Sequence, residues 1–164
     1  TLAGSSAASD VYKRQCQLIV LYYIWKNKIM YPEEVVKPMK LELTSNGFVE
    51  LSNDDDIKKL IDDDTSVIMV NSVCGCAAAN ARPGVIMSLN NEKTPKNLYT
   101  VFAGVDREAT NSARELMFPF PPSSPCIALF KNGELVHMLE RHHIEGREAS
   151  LISENLKQAY NEYC

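Results

Sequence analysis

The sequence predicts an α/β domain built on a mixed sheet with helices on both faces. Three observations carry this. Val67-Ile68-Met69-Val70 is a continuous apolar run without polar alternation, the mark of a strand covered on both faces. From that run onward the patterns alternate strand, helix, strand, helix, which demands a parallel βαβ unit with a right-handed crossover. Asn132-Gly133 then separates two short apolar runs; both residues tolerate positive φ, so the pair predicts an antiparallel hairpin.

The elements follow in order. Pro32 suits the first turn of a helix. Val35, Val36, Met39 and Leu43 recur on one helical face, with Pro38 as a kink and Gly47 as the stop. Ser52 and Asp55 have capping-box spacing, and Ile57, Leu60 and Ile61 form a second short amphipathic helix. The acidic run Asp54-Asp55-Asp56 favours the start of that helix, while Asp62-Asp63-Asp64 reads as solvated turn. After the strand at 67–70 a helix runs from Ala77 to about Leu89, interrupted by Pro83. Residues 98–103 form the next buried strand, and Ala109, Ala113, Leu116 and Met117 another helix. Pro119, Pro121, Pro122 and Pro125 make a constrained loop. Residues 127–130 and 135–139 are the hairpin strands, and Leu151, Ile152, Leu156, Ala159, Tyr160 and Tyr163 close the chain as an amphipathic helix.

Composition narrows the function. The 164 residues are 45% apolar and 23% charged, globular values that suit one domain. Seventeen basic against 21 acidic side chains give a net charge of −4, which leaves no excess of cations for a phosphate backbone and argues against nucleic acid. Five cysteines are too few for a disulfide scaffold. The apolar run at 18–25 falls well short of the ~20 apolar residues a spanning helix needs, and no small-residue cleavage site follows it. Position 1 is Thr, and residues 1–29 read as a leader outside the fold. The working domain is expected over 30–164, soluble and cytoplasmic, with no membrane partner.

Cys74-Gly75-Cys76 falls where the first buried strand hands over to a helix. Free N–H groups at a helix start stabilise a thiolate and make it nucleophilic at neutral pH. Gly75 lets the backbone turn between the sulfurs. Cys74, nearer the helix start, is the attacking candidate, and Cys76 is placed to displace whatever becomes bonded to it. Two other readings stay open: a small inert core pair, or a Cu(I)- or zinc-binding module using Cys74 and Cys76. For zinc the further ligands would come from Cys126, His137, His142 or His143, none of them at ligand spacing, so no metal is expected. Asn71 and Ser72 can orient the cysteine loop by hydrogen bonds.

Asn71-Ser72-Val73-Cys74-Gly75-Cys76-Ala77-Ala78, followed by Ala81-Arg82-Pro83, closely resembles the bacilliredoxins, thioredoxin-like proteins with a Cys-Gly-Cys site. The same likeness extends through Val101-Phe102-Ala103-Gly104, Asp106, Glu108-Ala109-Thr110, Pro122-Ser123-Ser124-Pro125, and Arg141-His142 with Ile144-Glu145-Gly146. It covers residues 30–164 and nothing before them. The resemblance implies a thioredoxin-like fold: a mixed four-stranded sheet flanked by helices, here with extra N-terminal helices. It implies a cis peptide bond at Pro125, which holds an extended edge for the substrate's backbone. It also implies removal of bacillithiol, or a similar low-molecular-weight thiol, from mixed disulfides on S-thiolated proteins. Cys74 would attack and Cys76 resolve, with the small thiol as co-substrate, its reductase system as partner and no bound cofactor. A general disulfide isomerase or reductase is the alternative. Around the pair, Arg82 reads either as a thiolate- or substrate-stabilising charge or as a solvated helix-face residue. Cys126 reads as a possible extra thiol or a small buried strand residue, His142 and His143 as thiol-tuning or turn residues, and Cys164 as a frayed terminal thiol.

Overall fold

A computed structural model describes residues 31–52 and 55–164. The apolar run at 18–25, the expected start at Met30, and Asp54 of the first acidic run lie outside the described residues. The compact unit Glu33–Cys164 holds every element below. In chain order these are α1 (Glu33–Thr44), β1 (Val49–Glu50), α2 (Ile57–Ile61), β2 (Thr65–Asn71), a π-helical turn (Ala77–Ala81) leading into α3 (Arg82–Ser88), β3 (Asn97–Phe102), α4 (Arg107–Leu116), β4 (Cys126–Lys131), β5 (Glu134–Leu139), α5 (Arg141–Ile144) and α6 (Ala149–Tyr163).

The sheet has the order β1-β3-β2-β4-β5. β3 runs parallel to β1 and β2, whereas β4 is antiparallel to β2 and to β5. The four strands expected from the sequence are all present, and β1 adds a two-residue fifth at the edge. Its side chains are exposed and too few to show a period; it is held by its register to Tyr99 and Thr100 and by the Leu51 N–H bond to Thr100 O, 2.9 Å.

β2 is buried along its whole length because both of its faces are covered. Val67 and Met69 point into a core shared with Leu43 of α1, Val85 of α3, Ile127 and Leu129 of β4, and Ile152, Leu156 and Tyr160 of α6. Ile68 and Val70 point the other way, toward Ile57 and Ile61 of α2, Ala109 and Ala113 of α4, and Phe130 of β4. Period-2 alternation therefore feeds two cores from one strand, with β2 at the centre of three layers.

The β4–β5 turn is Asn132-Gly133, with φ of 50° and 80°, as the dipeptide predicts. Three expectations need correction. Ser52 does not cap α2: Asp55 bonds back to the Ser52 N–H at 2.6 Å, and the helix starts later, with Asp56 accepting from the Lys59 N–H. Val35 and Leu151 face solvent, since each sits one residue off the buried stripe of its helix. Pro83 does not break its helix, because the π-helical turn ends just before it and Pro83 falls in the first turn of α3.

Candidate active site

β2 ends at Asn71, and within five residues the chain has turned into the helical segment that becomes α3. Ser72 to Cys76 fill that junction. The two sulfurs lie 2.7 Å apart, as free thiols, each partly exposed. Ser72 Oγ is 3.2 Å from Cys74 Sγ, and the Ala77 N–H donates to the same sulfur at 3.3 Å. Ala77 and Ala78 also donate to the Cys74 carbonyl, so the first helical turn wraps around Cys74. A Cβ on Gly75 would meet nothing within 4 Å and its φ is not positive, so the turn between the sulfurs does not depend on glycine, contrary to the reading of the sequence.

The two thiols are electrostatically unequal. Burial alone would push Cys74 up, but the hydrogen bonds from Cys76, Ser72 and Ala77, with the Arg141 charge behind them, hold it below the ordinary thiol value. Burial, the bond to Cys74 and the charge on Cys74 hold Cys76 above it. Arg141 is the first residue of α5, and its charge reaches both sulfurs. Its guanidinium binds Glu145 through two bonds of 3.2 Å and reaches the Ser124 carbonyl at 3.4 Å. Ser124–Pro125 is a cis peptide bond, as is Phe118–Pro119. With Val70 opposite Cys126 in the β2–β4 register, Pro125 lies at the same end of the sheet as the cysteine loop. This arrangement equips the chain for thiol–disulfide exchange: one thiol biased toward thiolate, a second kept protonated beside it.

A family model described as disulphide isomerase matches residues 31–164. A bacilliredoxin of Cytophaga hutchinsonii is 57% identical over 134 residues, spanning 81% of this chain and 99% of the relative. A bacilliredoxin of Halalkalibacterium halodurans is 47% identical over 136 residues, spanning 82% and 94%. The chain belongs to the bacilliredoxin family. A solved protein with a thioredoxin fold superposes with a TM-score of 0.52 at 17% identity, covering 70% of this chain and 95% of the other, and shows the fold to be thioredoxin-like.

Bacilliredoxin membership leaves the side chains around the pair to be read from the geometry. Asn71 Oδ1 accepts the Ser72 N–H at 2.8 Å, and Ser72 in turn meets Cys74 through its hydroxyl. Arg82 is neither solvated nor aimed at the sulfurs: it is 2% exposed and its guanidinium binds Glu42, Asn71 and Ser72. Cys126 is fully buried, donates to the Met117 sulfur at 3.9 Å, and is pushed up to about 11 by burial, so it behaves as a strand residue. Cys164 packs beside the core at the end of α6, where burial raises its thiol.

Glu140, His142 and His143 bring ligating atoms within 4.8 Å of one another, a group that contains neither thiol. Two of its members are engaged in capping α5, since the Glu140 N–H donates to His143 Nδ1 and the Glu140 carboxylate accepts from the His143 N–H. Sequence reasoning missed Glu42 and the role of Arg141. Forty residues separate Glu42 from Arg82, and no local pattern pairs them. Arg141 stands in a stretch that resembles the family, but only the fold brings it to the thiols.

Among the described residues, no helix is long and apolar enough to cross a membrane.

Proposed function

We propose that this chain is a dithiol oxidoreductase that removes a low-molecular-weight thiol, bacillithiol or a close relative, from mixed disulfides on oxidised proteins. The observation that carries the reading is the asymmetry of the pair: three hydrogen bonds hold Cys74 low while Cys76 stays high. Cys74 thiolate attacks the small-thiol sulfur of the mixed disulfide. A new S–S bond forms to Cys74, the old one breaks, and the protein's sulfur leaves as a thiolate that takes a proton from water. Cys76 then loses its proton and attacks Cys74 Sγ, expelling the small thiol and leaving a Cys74–Cys76 disulfide. Two electrons from further small thiol and its reductase system restore the dithiol.

In this reading Ser72 and Asn71 set the loop, and Pro125 presents backbone to the substrate chain. Residues 30–164 are the working unit, in the cytoplasm, and removing residues 1–29 leaves exchange intact. A wider isomerase activity has one specific support, the description of the matching family model.

The test offers the reduced protein one substrate carrying different small-thiol adducts and compares release rates. Fastest release of bacillithiol supports the specific reading. Equal release of every adduct favours a general reductase.

A further inference from the structure

α1 lies outside the strand–helix–strand unit that carries the thiols, yet its polar groups bond to Asn71 and Arg82, which flank the cysteine loop. Arg82 Nε donates to Glu42 Oε2 at 2.5 Å and Nη2 to Oε1 at 3.4 Å, an approach from α1 to the first residue of α3. On its other side Arg82 Nη1 donates to Asn71 Oδ1 at 3.1 Å and to the Ser72 carbonyl at 3.3 Å. Asn71 Oδ1 also accepts the Ser72 N–H at 2.8 Å, while its Nδ2 donates to the Met39 carbonyl of α1 at 3.2 Å.

This network has one consistent orientation. Turning the Asn71 amide over would set its NH2 against two other donors, Arg82 and the Ser72 N–H, and its oxygen against the Met39 carbonyl. Both backbone groups of Ser72 are therefore held, and its hydroxyl is what remains to meet the Cys74 sulfur at 3.2 Å. A buried guanidinium must find acceptors for its N–H groups, and Arg82 finds them in Glu42, Asn71 and Ser72. α1 is in turn fixed at Lys40, which pairs with Glu50 and with Asp106 at 3.0 Å.

We infer that Glu42 and Arg82 are positioning residues for Cys74, holding the Asn71–Ser72 segment so that the Ser72 hydroxyl serves the attacking sulfur. The inference rests on Cys74 being the attacking thiol. Neither residue touches the sulfur; the ion pair acts through the two residues that precede the loop. Glu42 is half-exposed, so its substitution spares the core.

The test follows alkylation of Cys74 by iodoacetamide against pH in the full chain, with peptide mass mapping to identify the modified cysteine and melting temperature measured in parallel. Glu42→Gln and Arg82→Lys should each shift the Cys74 pH midpoint upward and slow alkylation at pH 7 roughly three- to tenfold, the scale of one lost hydrogen bond. Ser72→Ala should do the same, and Glu42→Asp should recover part of the loss. If Arg82→Lys does not fold, Glu42→Gln decides alone. A midpoint that stays at the wild-type value in Glu42→Gln overturns the inference, whatever happens to the melting temperature. A shift in Ser72→Ala without one in Glu42→Gln overturns it as well. Should another cysteine carry the fast alkylation of the wild type, the assignment of Cys74 falls first and this inference with it.

Discussion

Replacing Gly84 by alanine should loosen the packing of α3 on α6, although alanine is the better helix former. A Cβ at Gly84 would lie 2.8 Å from Ile152 Cγ2, 2.9 Å from Ile152 Cβ and 3.1 Å from the Ala149 carbonyl. Carbon pairs rest at about 3.5–4.0 Å, so the two helices must part by roughly 0.7–1 Å. Overpacking of this kind costs about 1–3 kcal/mol, and alanine in a helix interior returns about 0.8–1 kcal/mol. The net is a destabilisation of up to about 2 kcal/mol, or a melting temperature lower by up to about 8 °C for a chain of this size. Urea titration of the reduced protein reads it as a lower midpoint at constant slope. The contact itself is tested by a cycle with Ile152→Ala. In that background the added methyl should cost nothing or stabilise, a coupling of about 1 kcal/mol or more. A cycle without coupling would refute the packing argument.

Three further outcomes are expected. Cys76→Ala removes the largest of the bonds that hold Cys74 down, so the pH at which Cys74 becomes half-reactive should rise; an unchanged profile in mapped alkylation would mean that Ser72 and Ala77 suffice. Cys126, pushed up to about 11 and fully buried, should resist a thiol reagent at pH 8 in the native protein and react only on unfolding; labelling at the rate of Cys74 would disprove its burial. Tyr160→Phe removes a buried hydroxyl that accepts from Ser88 Oγ at 3.1 Å, and should lower stability by about 0.5–1.5 kcal/mol in the same urea assay, with no effect on thiol reactivity.

The sheet was legible in the sequence where burial was extreme. Val67-Ile68-Met69-Val70 could be read as a central strand because nothing in it needs water, and Asn132-Gly133 because its φ values exclude most other residues. The cysteine pair was legible from its own chemistry and its place after that strand. What escaped was set by distance or by small numbers. β1 is two exposed residues whose existence depends on β3 lying beside it. The start of α2 was misplaced because Ser52–Asp55 and Asp56–Lys59 offer competing caps four residues apart, and spacing alone does not choose between them. Arg82 read equally well as a surface helix residue, since its burial is decided by Glu42, forty positions earlier. Polar networks that join distant segments leave no periodic trace; hydrophobic faces do.

The most direct test of the account is the fate of the small thiol in the two cysteine variants. Wild type, Cys74→Ser and Cys76→Ser are each incubated with a protein carrying bacillithiol in a mixed disulfide, and intact masses of enzyme and substrate are followed. Cys76→Ser should release the protein thiol once and accumulate bacillithiol on Cys74, while Cys74→Ser releases nothing and gains no mass. Activity retained in Cys74→Ser but lost in Cys76→Ser would reverse the two roles. Activity retained in both would place the chemistry on another cysteine and contradict the account.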